Sequence, residues 1–332
     1  MYFIRAVAFV NMYQQAMKLY DLQEHQLSIP RTVFENLMTL VPISELNKLY
    51  QEMAVQTQDQ DFVLKTVSQI RSRELGAIGR WMFSGHDLAS TIRRINYGSN
   101  CLQSGIFLSS TQNGKIIKWR YDNSVLDNSV RTHDGVRVAA FLLNVLRIYL
   151  GESYIPKRVL FSGNHRNKKD YEAYFGCEVG WNHHCTELWF HSDVRLASMQ
   201  SEVLPKKRLA MSLQELDEFL NMPQPEDELK VVYELIQYSC HYGLPKVAKV
   251  AEFLGLSEQQ FQRMLRKQGL NFSTVCAFVL TNTAANLLLL SIPIEQVAQR
   301  LGYTNVESFN RMFKKQRGLT PQQYQQKFHD PF

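Results

Sequence analysis

The sequence predicts an α+β N-terminal domain followed by an all-α domain of two helix-turn-helix subdomains joined by a long connector helix. Three observations predict it. Short β-branched and aromatic runs bounded by Gly, Asn and Ser mark residues 80–211, whereas the chain from residue 229 on has helical spacing throughout. A repeat lies in that last part: V-A-x-x-L-G at Val250 returns 47 residues later at Val297, each copy followed by Phe, then Arg-Met, then basic residues and Gly. Charge divides the same way. From Leu229 on there are twelve Lys and Arg against six Asp and Glu, while residues 1–228 hold twenty-five of each, so the net +6 sits in the last third. A basic domain beside a neutral one suggests a nucleic-acid reader joined to something else.

The 332 residues suffice for about two domains. The expected boundaries are a domain at 1–222, a linker at 223–228 (Met222 then PQPEDE), and a domain at 229–332 with helix-turn-helix units near 245–269 and 294–318. Residues 1–75 read as mostly helical, broken at Pro30 and Pro42. Asp61 is placed to cap a helix carrying Phe62, Leu64, Val67 and Ile70. Strands are expected at 105–110, 115–121, 156–161 and 187–191, with Asn113-Gly114 as a hairpin signal. An apolar helix is expected at 136–150 and another helix at 209–220.

In the last third, Pro245 opens a helix through Leu254, and Gly255 stops it. Ser257 caps the next, which Gly269 closes. Residues 273–290 read as a buried connector, apolar on nearly every side. Ile294, Val297, Ala298 and Leu301 give one buried stripe, which Gly302 terminates; Tyr303-Thr304-Asn305 turns into a second helix anchored by Phe309, Met312 and Phe313. Gly318 ends it, and Thr320-Pro321 starts the last helix as hydroxyl cap plus proline.

The run LGYTNVESFNRMFKKQRGLTP resembles the C-terminal signature of the AraC/XylS family of bacterial transcription regulators: the Leu-Gly-aromatic turn, the Ser-Phe pair, the following Arg, F-K-x-x-x-G and the closing T-P. The tandem repeat is also similar to that family's arrangement. Upstream, ELGAIGRWMFSGHDLASTIRRINYG, IPKRVLFSGNHRNKKDYEAYFGCEVGW and CTELWFHSDVRLAS resemble the arabinose-binding-type regulatory domain of one branch, over roughly residues 20–220. The resemblance implies a sequence-specific DNA-binding regulator, with activation as the expected mode. It also implies effector sensing, dimerisation or both through the N-terminal domain. One departure is Leu280-Thr281-Asn282 in the connector, where the family usually carries an arginine that could make an ion pair.

Reading DNA needs long side chains on one exposed helical face. Gln259, Gln262 and Arg263 share such a face opposite Phe261 and Leu265; in the second unit Val306, Glu307, Asn310 and Arg311 match. Arg266, Lys267, Lys314, Lys315 and Arg317 are expected phosphate contacts, which give affinity without sequence information. The expected partners are double-stranded DNA at a promoter or operator, RNA polymerase, a small-molecule effector and a second copy of the chain, with no membrane.

Tyr97, Phe107, Trp119, Tyr121 and Trp181 are candidates for an effector pocket, against the reading that aromatics at strand spacing make core. Cys177, His183, His184 and Cys185 form a metal-like group, but their spacing fits no standard zinc motif and adjacent histidines beside a strand point to opposite faces. No metal or cofactor is therefore expected. Cys101, Cys240 and Cys276 read as small buried hydrophobes. His86-Asp87 and His133-Asp134 invite an acid-base reading, yet sequence neighbours do not face each other on a helix and no nucleophile motif is present. An enzyme is not expected. The alternatives are a metal or small-molecule sensor whose DNA binding is secondary, or an enzyme fused to a DNA-binding domain. Five cysteines without regular spacing, the lack of a basic leader and the lack of an apolar run near the roughly 20 residues of a span point to the cytoplasm.

Overall fold

The computed structural model describes residues 1–67, 76–164, 167–199 and 211–329. These form two compact units, Tyr2–Met222 and Pro223–Phe332, the second including Met1. Each is held by its own core.

In the N-terminal unit β1 (Phe3–Arg5) pairs antiparallel with β2 (Leu40–Pro42), with α1 (Val10–Leu19) between them in sequence. The expectation of helix before residue 75 missed this pair. Both strands are three residues long and buried throughout, so neither shows the alternation that marks a strand. Next come α2 (Ile43–Thr57), α3 (Phe62–Thr66), α4 (Gly76–Met82) and α5 (Leu88–Leu102). Asp61 precedes α3 but its carboxylate makes no cap; it accepts from the Tyr171 hydroxyl at 3.2 Å. The expected run of that helix to Ile70 lies outside the described residues, as does the expected helix start at Leu209.

The main sheet has the order β3-β4-β7-β5-β6, from β3 (Phe107–Asn113), β4 (Ile116–Asp122), β5 (Arg158–Ser162), β6 (Val179–His183) and β7 (Thr186–His191). β5 and β6 run parallel, and the other neighbours antiparallel. The β3–β4 hairpin closes through Gly114-Lys115, with Gly114 at φ +57° where a two-residue turn demands a left-handed residue. β6 was not expected: Gly180 and the left-handed Asn182 (φ +60°) dilute its strand character.

Helix α6 (Asn128–Leu150) packs on β5 and β7 with one side and on α2 and α3 with the other. It starts well before the expected residue 136; its first two turns are polar and so lack the apolar spacing that marks the rest. Gly135 allows this approach, since a Cβ there would overlap the Thr186 hydroxyl of β7. The unit is completed by α7 (Lys168–Phe175) and α8 (Leu213–Leu220).

The C-terminal unit contains α9 (Glu228–Ser239), α10 (Val247–Phe253), α11 (Glu258–Lys267), α12 (Phe272–Leu289), α13 (Ile294–Arg300), α14 (Val306–Arg317) and α15 (Pro321–His329). Its second half is built on Leu280, Ala284 and Leu288 of α12, Val297 and Ala298 of α13, and Phe309 and Phe313 of α14. Helix α12 corrects two expectations. It is long and apolar enough to cross a membrane by length and composition, so the chain does contain such a run. It is also not buried all round: Phe278 and Leu289 are exposed, as is the C-capping Leu290, while α9, α13, α14 and α15 pack on its other faces.

Candidate functional site

Two short helices present matching faces. The Ser257 hydroxyl accepts from Gln260 N (3.2 Å) while the Gln260 side chain accepts from Ser257 N (2.9 Å), a reciprocal cap that fixes the start of α11. Phe261 and Leu265 are buried, which turns Gln259 and Arg263 to solvent; Gln262 is half-buried and accepts from Arg266 Nη2 at 3.3 Å. Arg266 and Lys267 are exposed in the last turn.

The second helix, α14, is started by Asn305. Its side-chain oxygen accepts from Glu307 N (2.7 Å) and Ser308 N (3.3 Å). The sequence had placed Asn305 in the turn without that role. Phe309 and Phe313 point inward, leaving Glu307, Arg311, Lys314 and Lys315 exposed along one stripe. Arg311 Nη2 donates to Ser308 Oγ at 3.1 Å, which braces it at the N-terminal end. Two of the sequence candidates sit differently. Val306 is half-buried and packs against the core, and Asn310 is half-buried with its Oδ1 turned inward and without a hydrogen-bond partner. Arg317 donates to Asn282 Oδ1 of α12 at 2.6 Å, so an Arg–Asn bond between connector and reader stands where the missing connector arginine had put an ion pair in doubt.

The N-terminal unit encloses a cavity of about 360 Å³ between the segment around α1, the end of α5 and the middle of α6. Of the five aromatic candidates, Tyr121 borders it. The others are elsewhere. Trp119 is fully buried and donates to Asn96 Oδ1 (2.7 Å); Trp181 stacks on Phe161 (4.9 Å); Tyr97 bonds Asp217; Phe107 is 62% exposed on β3. The physical reason is that inward aromatics at strand spacing fill the sheet–helix layer. The cavity instead opens where helix ends meet, and α1 supplies Asn11, Gln14 and Gln15 to its wall.

At the wall sits a buried pair. The fully buried Asp134 accepts from Arg137 Nη2 (2.6 Å), the Tyr121 hydroxyl (2.6 Å), Asn123 Nδ2 (3.0 Å) and the Tyr50 hydroxyl (3.2 Å). Burial alone would raise the Asp134 carboxyl; the Arg137 charge and these bonds reverse that and hold it below the usual range. His133-Asp134 is thus part of a structural network. Asp87 of His86-Asp87 is the N-cap of α5, accepting from Ser90 N at 2.7 Å.

His183, His184, Cys185 and Glu187 bring their donor atoms within 4.8 Å of one another around the β6–β7 turn. The expectation that the adjacent histidines diverge is corrected: the turn, rather than a flat strand, sets their directions, and their rings lie 4.1 Å apart. Cys177 is outside the group. The positive partner of the four is Arg120, whose Nε meets Glu187 Oε1 at 3.0 Å and whose Nη2 lies 2.6 Å from His184 Nε2.

Residues 25–197 match the model of the arabinose-binding N-terminal domain of AraC transcription regulators, and residues 250–327 match a helix-turn-helix domain. The chain belongs to the AraC family of transcription regulators. Its C-terminal unit is a helix-turn-helix DNA-binding domain, and the family is one of regulators rather than enzymes. The chain is 27% identical over 128 residues to the HTH-type transcriptional regulator RipA of Corynebacterium diphtheriae, 38% of either chain. It is 32% identical over 81 residues to the HTH-type transcriptional activator FapR of Escherichia coli, 24% of this chain and 31% of that one. The chain thus spans well under half the length of these curated relatives. The crystal structure of the transcriptional regulator CdpR from Pseudomonas aeruginosa aligns with 96% of this chain and 98% of that one, at 18% identity and a TM-score of 0.43.

In this AraC-family chain the regulatory-domain match begins at residue 25, so α1 and its share of the cavity wall lie outside it. Sequence reasoning also missed a cleft where Lys246 and Lys249, before and within α10, face Thr304, Asn305 and Ser308 at the start of α14. Its signal was available: two lysines ahead of the first V-A-x-x-L-G copy that the second copy lacks.

Proposed function

We propose that α11 and α14 are two DNA-reading helices and that this regulator is a sequence-specific activator working with RNA polymerase in the cytoplasm. The observation that carries the reading is the pair of exposed polar stripes, Gln259–Arg263 and Glu307–Arg311, each near the N-terminal end of its helix and each backed by two buried apolar residues. Arginine pairs with guanine, Gln or Asn with adenine, and Glu accepts from cytosine. Gln262, Asn310 and the half-buried Val306 would complete the readers, Val306 through a thymine methyl. Arg266, Lys267, Lys314, Lys315 and Arg317 would hold phosphates. Activation is supported by the role named for FapR. Control comes from the N-terminal unit, through a small-molecule effector in the cavity, through a homodimer, or through both.

The test is binding of the full chain to a randomised DNA pool and then to its preferred site. Arg263→Ala and Arg311→Ala should each cost about 1–3 kcal/mol there and relax base preference at separate positions. Lys315→Ala should weaken all sequences alike and reduce the salt slope by about one. Equal loss of specificity in all three variants sinks the assignment.

A further inference from the structure

The cavity of the N-terminal unit has a wall whose chemistry can be read. Val7, Val10, Met12, Leu102, Ile106 and Phe141 make it largely apolar. Beside the polar residues of α1, Gln103 and Arg137 line it too, both under a tenth exposed. Gln103 follows the end of α5, and its Nε2 is buried without a hydrogen-bond partner. A buried donor left unmet costs about 1–3 kcal/mol, so a fold keeps one where something meets it.

Arg137 has donors to spare as well. Its guanidinium carries five N–H groups. Nε is shared between Asp134 Oδ1 (3.0 Å) and the Tyr50 hydroxyl (3.1 Å), Nη2 gives one to Asp134, and Nη1 gives one to the carbonyl of Ala8 (2.7 Å). One N–H on each terminal nitrogen remains for an acceptor. The charge is already balanced, because Asp134 faces Arg137 inside the same network. An anion entering here would bury a second negative charge with no cation left to pair it, at a cost of several kcal/mol.

We propose that this cavity binds an uncharged, mainly apolar molecule that carries a carbonyl-type hydrogen-bond acceptor, held by Gln103 and Arg137. The cavity volume equals about a dozen waters at about 30 Å³ each, which sets the ligand near a dozen non-hydrogen atoms. Esters, lactones, ketones and amides of that size fit; free acids and plain hydrocarbons do not. Gln103 meets the acceptor by a turn about its last side-chain torsion, which is soft. The proposal rests on the reading that the N-terminal unit answers a small molecule, and the experiment separates the two.

Full-length protein is titrated by calorimetry and native mass spectrometry with methyl decanoate, decanoate and dodecane, which match in size and differ in acceptor and charge. One methyl decanoate should bind per chain, about tenfold or more tighter than either of the others. Gln103→Leu, close in volume, should lose about tenfold in affinity for the ester and narrow its preference over dodecane by the same factor, the worth of about one hydrogen bond. Ser99→Phe, which fills the cavity from the half-buried face of α5 that lines it, should abolish binding in a chain whose circular dichroism is unchanged. The site is overturned if the ester does not bind, if decanoate binds best, or if Gln103→Leu keeps the full wild-type preference for the ester. DNA affinity is then measured with and without methyl decanoate. A ligand that binds as described and leaves DNA affinity unchanged supports the site and overturns the effector reading.

Discussion

Gly255 and Gly302 occupy matching places in the two helix-turn-helix units, both left-handed, at φ +67° and +81°. Their surroundings differ. A Cβ at Gly255 would meet open space, whereas one at Gly302 would overlap the carbonyl of Gly243 and the amide of Leu244, backbone that leads into α10. A left-handed residue other than glycine costs about 1–2 kcal/mol. Gly255→Ala should therefore lower stability by about that amount in urea unfolding, and Gly302→Ala by several times more, because backbone must move. Equal costs would mean the contact is not there in solution. In the other unit Asp134 is the residue to test. Asp134→Ala leaves Arg137 charged and buried, and should cost about 3–5 kcal/mol. The carboxyl is held below its unfolded value near 3.9, so its stabilisation is full above that pH and fades as pH falls through the lower folded value. The isosteric Asp134→Asn should flatten the acid limb of a stability–pH profile; an unchanged limb would show that other carboxylates set it.

Elements with strong local signals were legible in the sequence, and those assembled from distant pieces were not. Ser257, Thr320 and Gly318 announced the helix boundaries at which they stand. Periodicity placed α11, α13 and α14, and Asn113-Gly114 placed the β3–β4 hairpin. β1 and β2 were hidden, since three buried residues have no period. The cavity was hidden for a different reason. Its wall comes from residues near 10, 100 and 140, and nothing along the chain says that they meet. Helix α12 lies between these cases: its sequence is apolar all round, so composition could not choose its inner face. The fold chooses. Leu288 is fully buried, Leu287 partly, and Leu290 at the end of the helix is 72% exposed. Leu288→Asp should unfold the C-terminal unit, because an unpaired buried charge is very costly. Leu290→Asp should leave the thermal transition almost unmoved and improve solubility. If Leu290→Asp unfolds the unit as Leu288→Asp does, that end of α12 is covered in solution.

The whole molecule pairs a neutral unit with a basic one, and the basic one has its two readers tied together at more than one point. Helix α12 packs against α9 on the first reader's side and against α13, α14 and α15 on the second. Arg317 bonds α14 to Asn282 of that connector, and the turn at Gly302 rests on Gly243. If α11 and α14 read DNA as proposed, these ties should make them act as one rigid pair. The 18 residues of α12 span roughly 27 Å at about 1.5 Å per residue, a length that suits two recognition helices in successive major-groove turns about 34 Å apart. One chain should then protect an asymmetric site with two contact zones about one helical turn apart. A five-base-pair insertion between the zones carries the second onto the opposite face of the duplex. Binding should fall to the weak level of one reader, and Arg311→Ala, costly on the native site, should have little further effect on the expanded one. A ten-base-pair insertion restores the face but exceeds the reach of the connector, so it should not restore affinity. Unchanged affinity and footprint after the five-base-pair insertion would mean that the readers are not a rigid pair and that a single helix reads the DNA.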